Sequence, residues 1–145
     1  MRLYLDNCCF NRPFDDQKQI KIHLETEAKL FIQQKILEGE YELVWSYILE
    51  YENSMNPFEA RKKAIMEWKS IAQVNVEQSE NILNSAKQFT DKGIKSKDAL
   101  HIACSIEAKS DFFITTDKKL LNFDSQVEQI RIINPIDFID GKGDK

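Results

Sequence analysis

The sequence predicts an α/β fold in which helices cover a small parallel sheet. Two observations carry this. Short apolar runs recur at 2–5, 41–45, 112–115 and 130–133, and segments of helical period separate each from the next. Strands joined through helices pair in parallel, because a crossover brings the chain back to the same end of the sheet. The helical segments also outweigh the strands, so the sheet is small. With no repeat and no linker among 145 residues, one domain over residues 1–140 is expected, and 141–145 read as a disordered tail.

Each element has a local reason. Arg2-Leu3-Tyr4-Leu5 reads as a first strand ending at Asp6. Residues 7–16 form a loop, in which Asp15 or Asp16 can cap the next helix. Residues 17–38 are helical: Ile20, Leu24, Ala28, Phe31 and Lys35 repeat at helical spacing, and Gly39 stands where a stop belongs. Tyr41 to Trp45 is a second strand. Ser46 caps a helix to about Ser54. Asn56-Pro57 opens another, since proline suits a first turn, and it runs through Ala60, Ile65 and Trp68 to about Ala72. Val74-Asn75-Val76 is a brief extended piece. Residues 77–91 make a helix ending before Gly93, and Ser96 caps the next, to about Lys109. Phe112 to Thr115 is a third strand, Lys118 to Asn122 allow one helical turn, and Ile130 to Ile133 form a fourth strand closed by Asn134-Pro135.

Composition narrows the function classes. Charged residues make up 30% and hydrophobic ones 42%, with nine Phe, two Trp and four Tyr, which excludes disorder as the main state. No apolar run is long enough to span a bilayer, and the start lacks the apolar region of a signal peptide, so a cytoplasmic protein with no membrane partner is expected. Cys8, Cys9 and Cys104 are an odd count in such a chain and imply reduced thiols. The adjacent pair lacks zinc-site spacing and reads as small buried hydrophobes. A net charge of -4 argues against binding nucleic acid through bulk charge.

The acids at strand ends are the chemical signal. Ligands of an open parallel sheet bind beyond the carboxyl ends of its strands. Asp6 ends the first strand and Asp117 lies just past the third. Asp98 lies in the first turn of the helix after Ser96, and Glu50 and Glu52 follow Ser46 after the second strand. Several carboxylates at one edge repel each other unless divalent cations neutralise them, and hard oxygen ligands suit Mg²⁺ or Mn²⁺. Singly, each acid also has a plain structural role: Asp98 complements a helix dipole, Asp117 caps a turn, Asp6 starts one.

The segments Leu3–Asp16 (LYLDNCCFNRPFDD), Val44–Glu52 (VWSYILEYE), Lys97–Ala103 (KDALHIA) and Phe113–Leu120 (FITTDKKL) resemble, in order, the motifs of PIN-domain proteins, in particular the small VapC-like bacterial toxin group. The resemblance spans nearly the whole chain, and DALHIA and ITTD carry most of its weight. It implies a three-layer α/β/α sandwich and a metal-dependent endoribonuclease. The family's Asp, Glu, Asp, Asp pattern falls on Asp6, Glu52, Asp98 and Asp117, with Asp6, Asp98 and Asp117 as the metal ligands. Glu52 is chosen because the family's acid stands six residues after a strand-terminal Ser. Glu50 is the reserve, since the two lie about 200° apart on a helix and cannot both face one site. Tyr47, Ile48, Tyr51 and Met55 define that helix's apolar stripe, which Glu52 borders. Thr115 resembles the family's Ser/Thr near the metal. Asn7, Arg12 and Ser46 join it as candidates to touch substrate or support the acids.

The implied reaction is hydrolysis of an RNA phosphodiester by an activated water, leaving a 5′-phosphate. The implied partners are RNA, a cognate antitoxin and a second copy in a homodimer. Lys95, Lys97, Lys118 and Lys119 lie close in sequence to the acids and can meet phosphates or remain solvated surface charges. His101 stands three residues after Asp98 and reads as a hydrogen-bonded, partly buried histidine. Trp45 and Trp68 read as core or interface aromatics. The alternative is a catalytically inactive PIN-like RNA-binding or scaffold domain. A phosphatase using Asp6 as nucleophile would want a second Asp two residues on, where Cys8 stands. Removing Asp6, Glu52, Asp98 and Asp117 from the 24 acids leaves 20 against 20 bases, so the negative balance equals the charge of the expected metal site.

Overall fold

Consecutive buried residues, rather than alternating ones, mark strands covered on both faces. β1 (Arg2–Leu5) buries Leu3, Tyr4 and Leu5, and β2 (Glu42–Ser46) buries Leu43, Val44, Trp45 and Ser46. Such strands belong at the centre of a parallel sheet, and they lie there. The computed structural model describes residues 1–10 and 19–141. Its sheet has five strands in the order β3-β2-β1-β4-β5, with β3 at Val74–Val76, β4 at Phe112–Ile114 and β5 at Arg131–Ile133. Every pair is parallel. The brief extended piece at 74–76 is therefore a strand, paired along β2 at the sheet edge.

The α/β architecture holds. The connections are α1 (Ile20–Leu37), α2 (Tyr47–Ser54), α3 (Glu59–Ile71), α4 (Glu80–Asp91), α5 (Ser96–Glu107) and α6 (Lys118–Asn122). A final turn of helix, α7 (Pro135–Ile139), follows β5 under an Asn134 cap, where only a strand end was expected. From β1 the chain steps to β2 and β3, then crosses to β4 and β5. Right-handed crossovers in the two directions put their helices on opposite faces of the sheet. α1 packs with α7, and α4 with α5. The strand order reverses beside β1, so the crevice beyond the carboxyl ends of β1 and β4 is the switch point where such sheets bind ligands.

Several details differ from the sequence expectation. Ile20, Leu24 and Phe31 repeat at helical spacing but are 78%, 51% and 46% exposed. The buried face of α1 is Glu25, Thr26, Ala28, Lys29, Ile32 and Ile36. On α2, Tyr51 and Met55 are exposed while Ile48, Leu49 and Asn53 are buried. Period alone identifies a helix but not which of two mixed faces turns inward. α3 starts at Glu59, because the Asn56 side chain accepts from the Phe58 amide and delays the helix past Pro57. α4 starts at Glu80 under a Ser79 cap. Lys95, not Ser96, is the N-cap of α5. The expected caps Asp15 and Asp16, and the tail beyond Gly141, lie outside the described residues. No helix among the described residues is long and apolar enough to cross a membrane.

Candidate metal centre

Each acid is delivered by a separate element. Asp6 is the first residue after β1, and its amide donates to the Ile114 carbonyl at 2.9 Å, which continues the ladder to β4 by one step. Its carboxylate is held twice. Oδ1 accepts from the Asn7 amide at 2.8 Å, and Oδ2 accepts from Thr115 Oγ1 at 2.7 Å. Thr115 is fully buried just past β4, and its hydroxyl also accepts from the Asp117 amide at 3.0 Å. One hydroxyl thus ties together the two acids at the ends of adjacent strands. Asp117 caps α6, with Oδ1 accepting from the Lys119 amide at 2.8 Å.

Glu52 comes from the last turn of α2. Its Oε1 bonds His101 Nε2, and one ligand atom each from Asp6, Glu52 and His101 lie within 4.8 Å of one another. His101 is buried rather than partly buried. Its Nδ1 lies 2.6 Å from the Tyr4 hydroxyl, which lies 2.6 Å from Ser46 Oγ. Ser46 Oγ also accepts from the Leu49 amide at 3.3 Å as the cap of α2. A chain of hydrogen bonds therefore runs from Glu52 through His101 and Tyr4 to Ser46. Burial opposes a charge on His101, but Glu52, with Asp6 and Asp98, more than offsets it and raises its pKa. Burial raises the Tyr4 hydroxyl well above its ordinary range.

Asp98, on the first turn of α5, stands outside that cluster of ligand atoms, as does Asp117. Burial raises the pKa of Asp98 first, and the charges of Asp6, Asp117 and Glu52 raise it further. Asp98 thus stands in an acidic neighbourhood that disfavours its ionisation. Glu52 and Asp98, with Lys95, Ser96 and Lys97, line an open hollow of about 420 Å³. Two lysines thus stand beside two acids in one hollow.

Glu50 goes elsewhere. It pairs with Lys69 at 2.7 Å and accepts from Trp45 Nε1 at 3.3 Å, and these partners keep its carboxyl ionised. Asn7 supports Asp6 through its amide, and its own Oδ1 is buried without a hydrogen-bond partner. Arg12 and the rest of the Asn-Arg-Pro-Phe loop lie outside the described residues. Cys8 is half-buried, with Sγ 3.8 Å from Asp6 Oδ2 and 3.3 Å from Thr116 Oγ1. The hydrogen bond from Cys9 leads the effects that lower its pKa, while burial pushes Cys9 up.

Sequence reasoning did not bring Tyr4 or His101 into the acid group. The spacing of Asp98 and His101 signalled a shared helix face. Nothing in the sequence pairs His101 with a strand tyrosine 97 residues away.

The donors fit a hard divalent cation. Two of the three clustered ligand atoms are carboxylate oxygens, those of Asp6 and Glu52, the donor type that suits Mg²⁺ or Mn²⁺. No family model and no curated protein sequence matches the chain. Among solved structures, a chain of the crystal structure of VapBC2 from Rickettsia felis bound to a DNA fragment from their promoter aligns over 92% of this chain and 98% of its own, with 12% sequence identity and a TM-score of 0.58. At that identity the likeness is one of fold.

Proposed function

We propose that the protein is a metal-dependent endoribonuclease, the toxin of a toxin-antitoxin pair, acting with Mg²⁺ or Mn²⁺. The observation that carries this reading is the convergence of Asp6 and Glu52, with His101 behind them, at the switch point of the sheet. Asp6, Asp98 and Asp117 would hold the cation. Thr115 and the Asn7 amide fix the two oxygens of Asp6 so that its direction does not depend on the ion. His101 holds Glu52 in one rotamer, and Glu52 orients the attacking water. When bound, a divalent ion supplies Lewis-acid activation of water and neutralises charge on the phosphodiester. Lys95 and Lys97 meet phosphates of the RNA. The likeness to a chain of the VapBC2 complex supports an antitoxin partner, and the family resemblance supports a homodimer in the cytoplasm.

Asp6→Asn is the test. It keeps the side chain's shape and one acceptor oxygen, with Thr115 Oγ1 accepting from the new amide instead of donating, and removes the charge. Cleavage of RNA to 5′-phosphate products with Mn²⁺ is expected to vanish while the circular dichroism spectrum stays native. Full activity in the variant overturns the assignment. Absence of Mn²⁺ binding by the native protein at millimolar concentration favours the alternative, a catalytically inactive PIN-like domain.

A further inference from the structure

Two polar side chains of α1 reach the turn after β1, and the acid group does not account for them. Lys29 is 1% exposed. A buried ammonium is costly unless hydrogen bonds replace its water. Its Nζ donates to the Cys8 carbonyl at 3.0 Å. One helical turn later, Gln33 Nε2 donates to the Cys9 carbonyl at 2.8 Å. Residues four apart share a helix face, so the two donors form a fork that grips consecutive carbonyls.

The gripped segment is the single 3₁₀ turn Asn7–Cys9, a weak element by itself. Inside it, the Cys9 amide donates to the Asp6 carbonyl at 2.8 Å and the Phe10 amide to the Asn7 carbonyl at 3.0 Å. Its far end is pinned by the buried Phe10 ring, whose centroid is 5.9 Å from those of both Trp45 and Trp68. The Asn7 amide that holds Asp6 Oδ1 belongs to the same turn.

We propose that Lys29 and Gln33 are positioning residues that lock the turn at 6–10 and thereby aim the Asp6 carboxylate. The inference rests on Asp6 being a cation ligand, as in the proposed function. An apolar side chain of lysine's length would fill the same space with no charge to desolvate, so stability alone does not explain lysine there. Holding a ligand's backbone still does explain it, because metal sites depend on the groups that orient their ligands.

The test uses Lys29→Met and Gln33→Met in the full chain, with three readouts: melting temperature, amide exchange at Cys9 and Phe10, and Mn²⁺ binding by calorimetry. Both variants are expected to melt close to wild type. Their Cys9 and Phe10 amides exchange faster while those of β2 do not change, and Mn²⁺ affinity falls about 10–100-fold. A merely structural role lowers the melting temperature and exposes β2 as well. Unchanged exchange at Cys9 and Phe10 overturns the proposal, as does faster exchange with wild-type Mn²⁺ affinity. If Lys29→Met fails to fold, Gln33→Met is read by the same criteria. If the wild type binds no Mn²⁺, the metal-centre reading fails, and the exchange rates alone decide whether the fork locks the turn.

Discussion

His101 is the residue on which the candidate site turns. Its Nε2 faces a carboxylate and its Nδ1 a phenol. As an imidazolium it donates from both nitrogens, and the Tyr4 hydroxyl then donates onward to Ser46. As neutral imidazole, with its proton on Nε2, it accepts from Tyr4, and Ser46 donates to Tyr4 instead. Titration of one ring therefore reverses the bonds from His101 through Tyr4 to Ser46, while Nε2 donates to Glu52 in both states. The folded state holds this proton more tightly than the unfolded chain, whose value is near 6.5. Between that value and the raised folded one, the native state carries more protons, so stability falls as pH rises through this window. The contribution is fully present below the unfolded value. Urea unfolding of the metal-free protein across a pH series is expected to show this decline, and His101→Gln to remove it. An unchanged slope in the variant assigns the decline to another group.

At the scale of elements, caps separate stability from chemistry. Ser79 accepts from the Ile82 amide at the start of α4, away from the acids. Ser79→Ala is expected to cost about 1 kcal/mol in urea unfolding, with Mn²⁺ affinity unchanged. The end of α5 offers a gain instead. Lys109 has φ 56°, with the Ser110 amide bonded to the Ser105 carbonyl and its own to Ile106. α1 and α4 end on glycine in the same left-handed region, at Gly39 and Gly93. Lys109→Gly relieves the side-chain clash and is expected to add about 1 kcal/mol; equal or lower stability by the same measurement refutes this. Element by element, the sequence was informative wherever a local rule acted. Ser46 marked the start of α2, and Asp6 and Asp117 marked strand ends, because capping and strand termination involve near neighbours. The inward face of α1 was not legible. Its buried row includes Lys29, which only a tertiary partner, the Cys8 carbonyl, accommodates. The Glu52-to-Ser46 chain was invisible for the same reason: its members are far apart in sequence and meet only across the folded sheet.

For the whole molecule, the proposed metal centre ties stability to pH and to cation concentration. Asp98 holds its proton more tightly in the folded state than in the unfolded chain, through burial and then the charges of Asp6 and Asp117. In the metal-free protein that contribution to stability is present below the ordinary value of 3.8 and is lost as pH rises through the raised one. On the proposed function a cation would reverse the balance, because it would bind the ionised site of the native state. At about 100 times its dissociation constant, Mn²⁺ is expected to add about 2.7 kcal/mol, or about 5–10 °C in Tm for a domain of this size. The gain shrinks in acid, as protons compete for the same oxygens. Calorimetric melts at neutral and acidic pH measure both, and equal shifts at the two pH values refute a carboxylate site. The Tyr4 ring also stacks on Phe113 with centroids 5.2 Å apart. A rigid phenol whose hydroxyl lies one hydrogen bond from His101, and two from Glu52, is an optical probe already built into the interior. Events at the solvent-facing edge of the sheet will register in the near-ultraviolet dichroism of a tyrosine that water never touches, so occupancy of the site can be followed without labelling the protein.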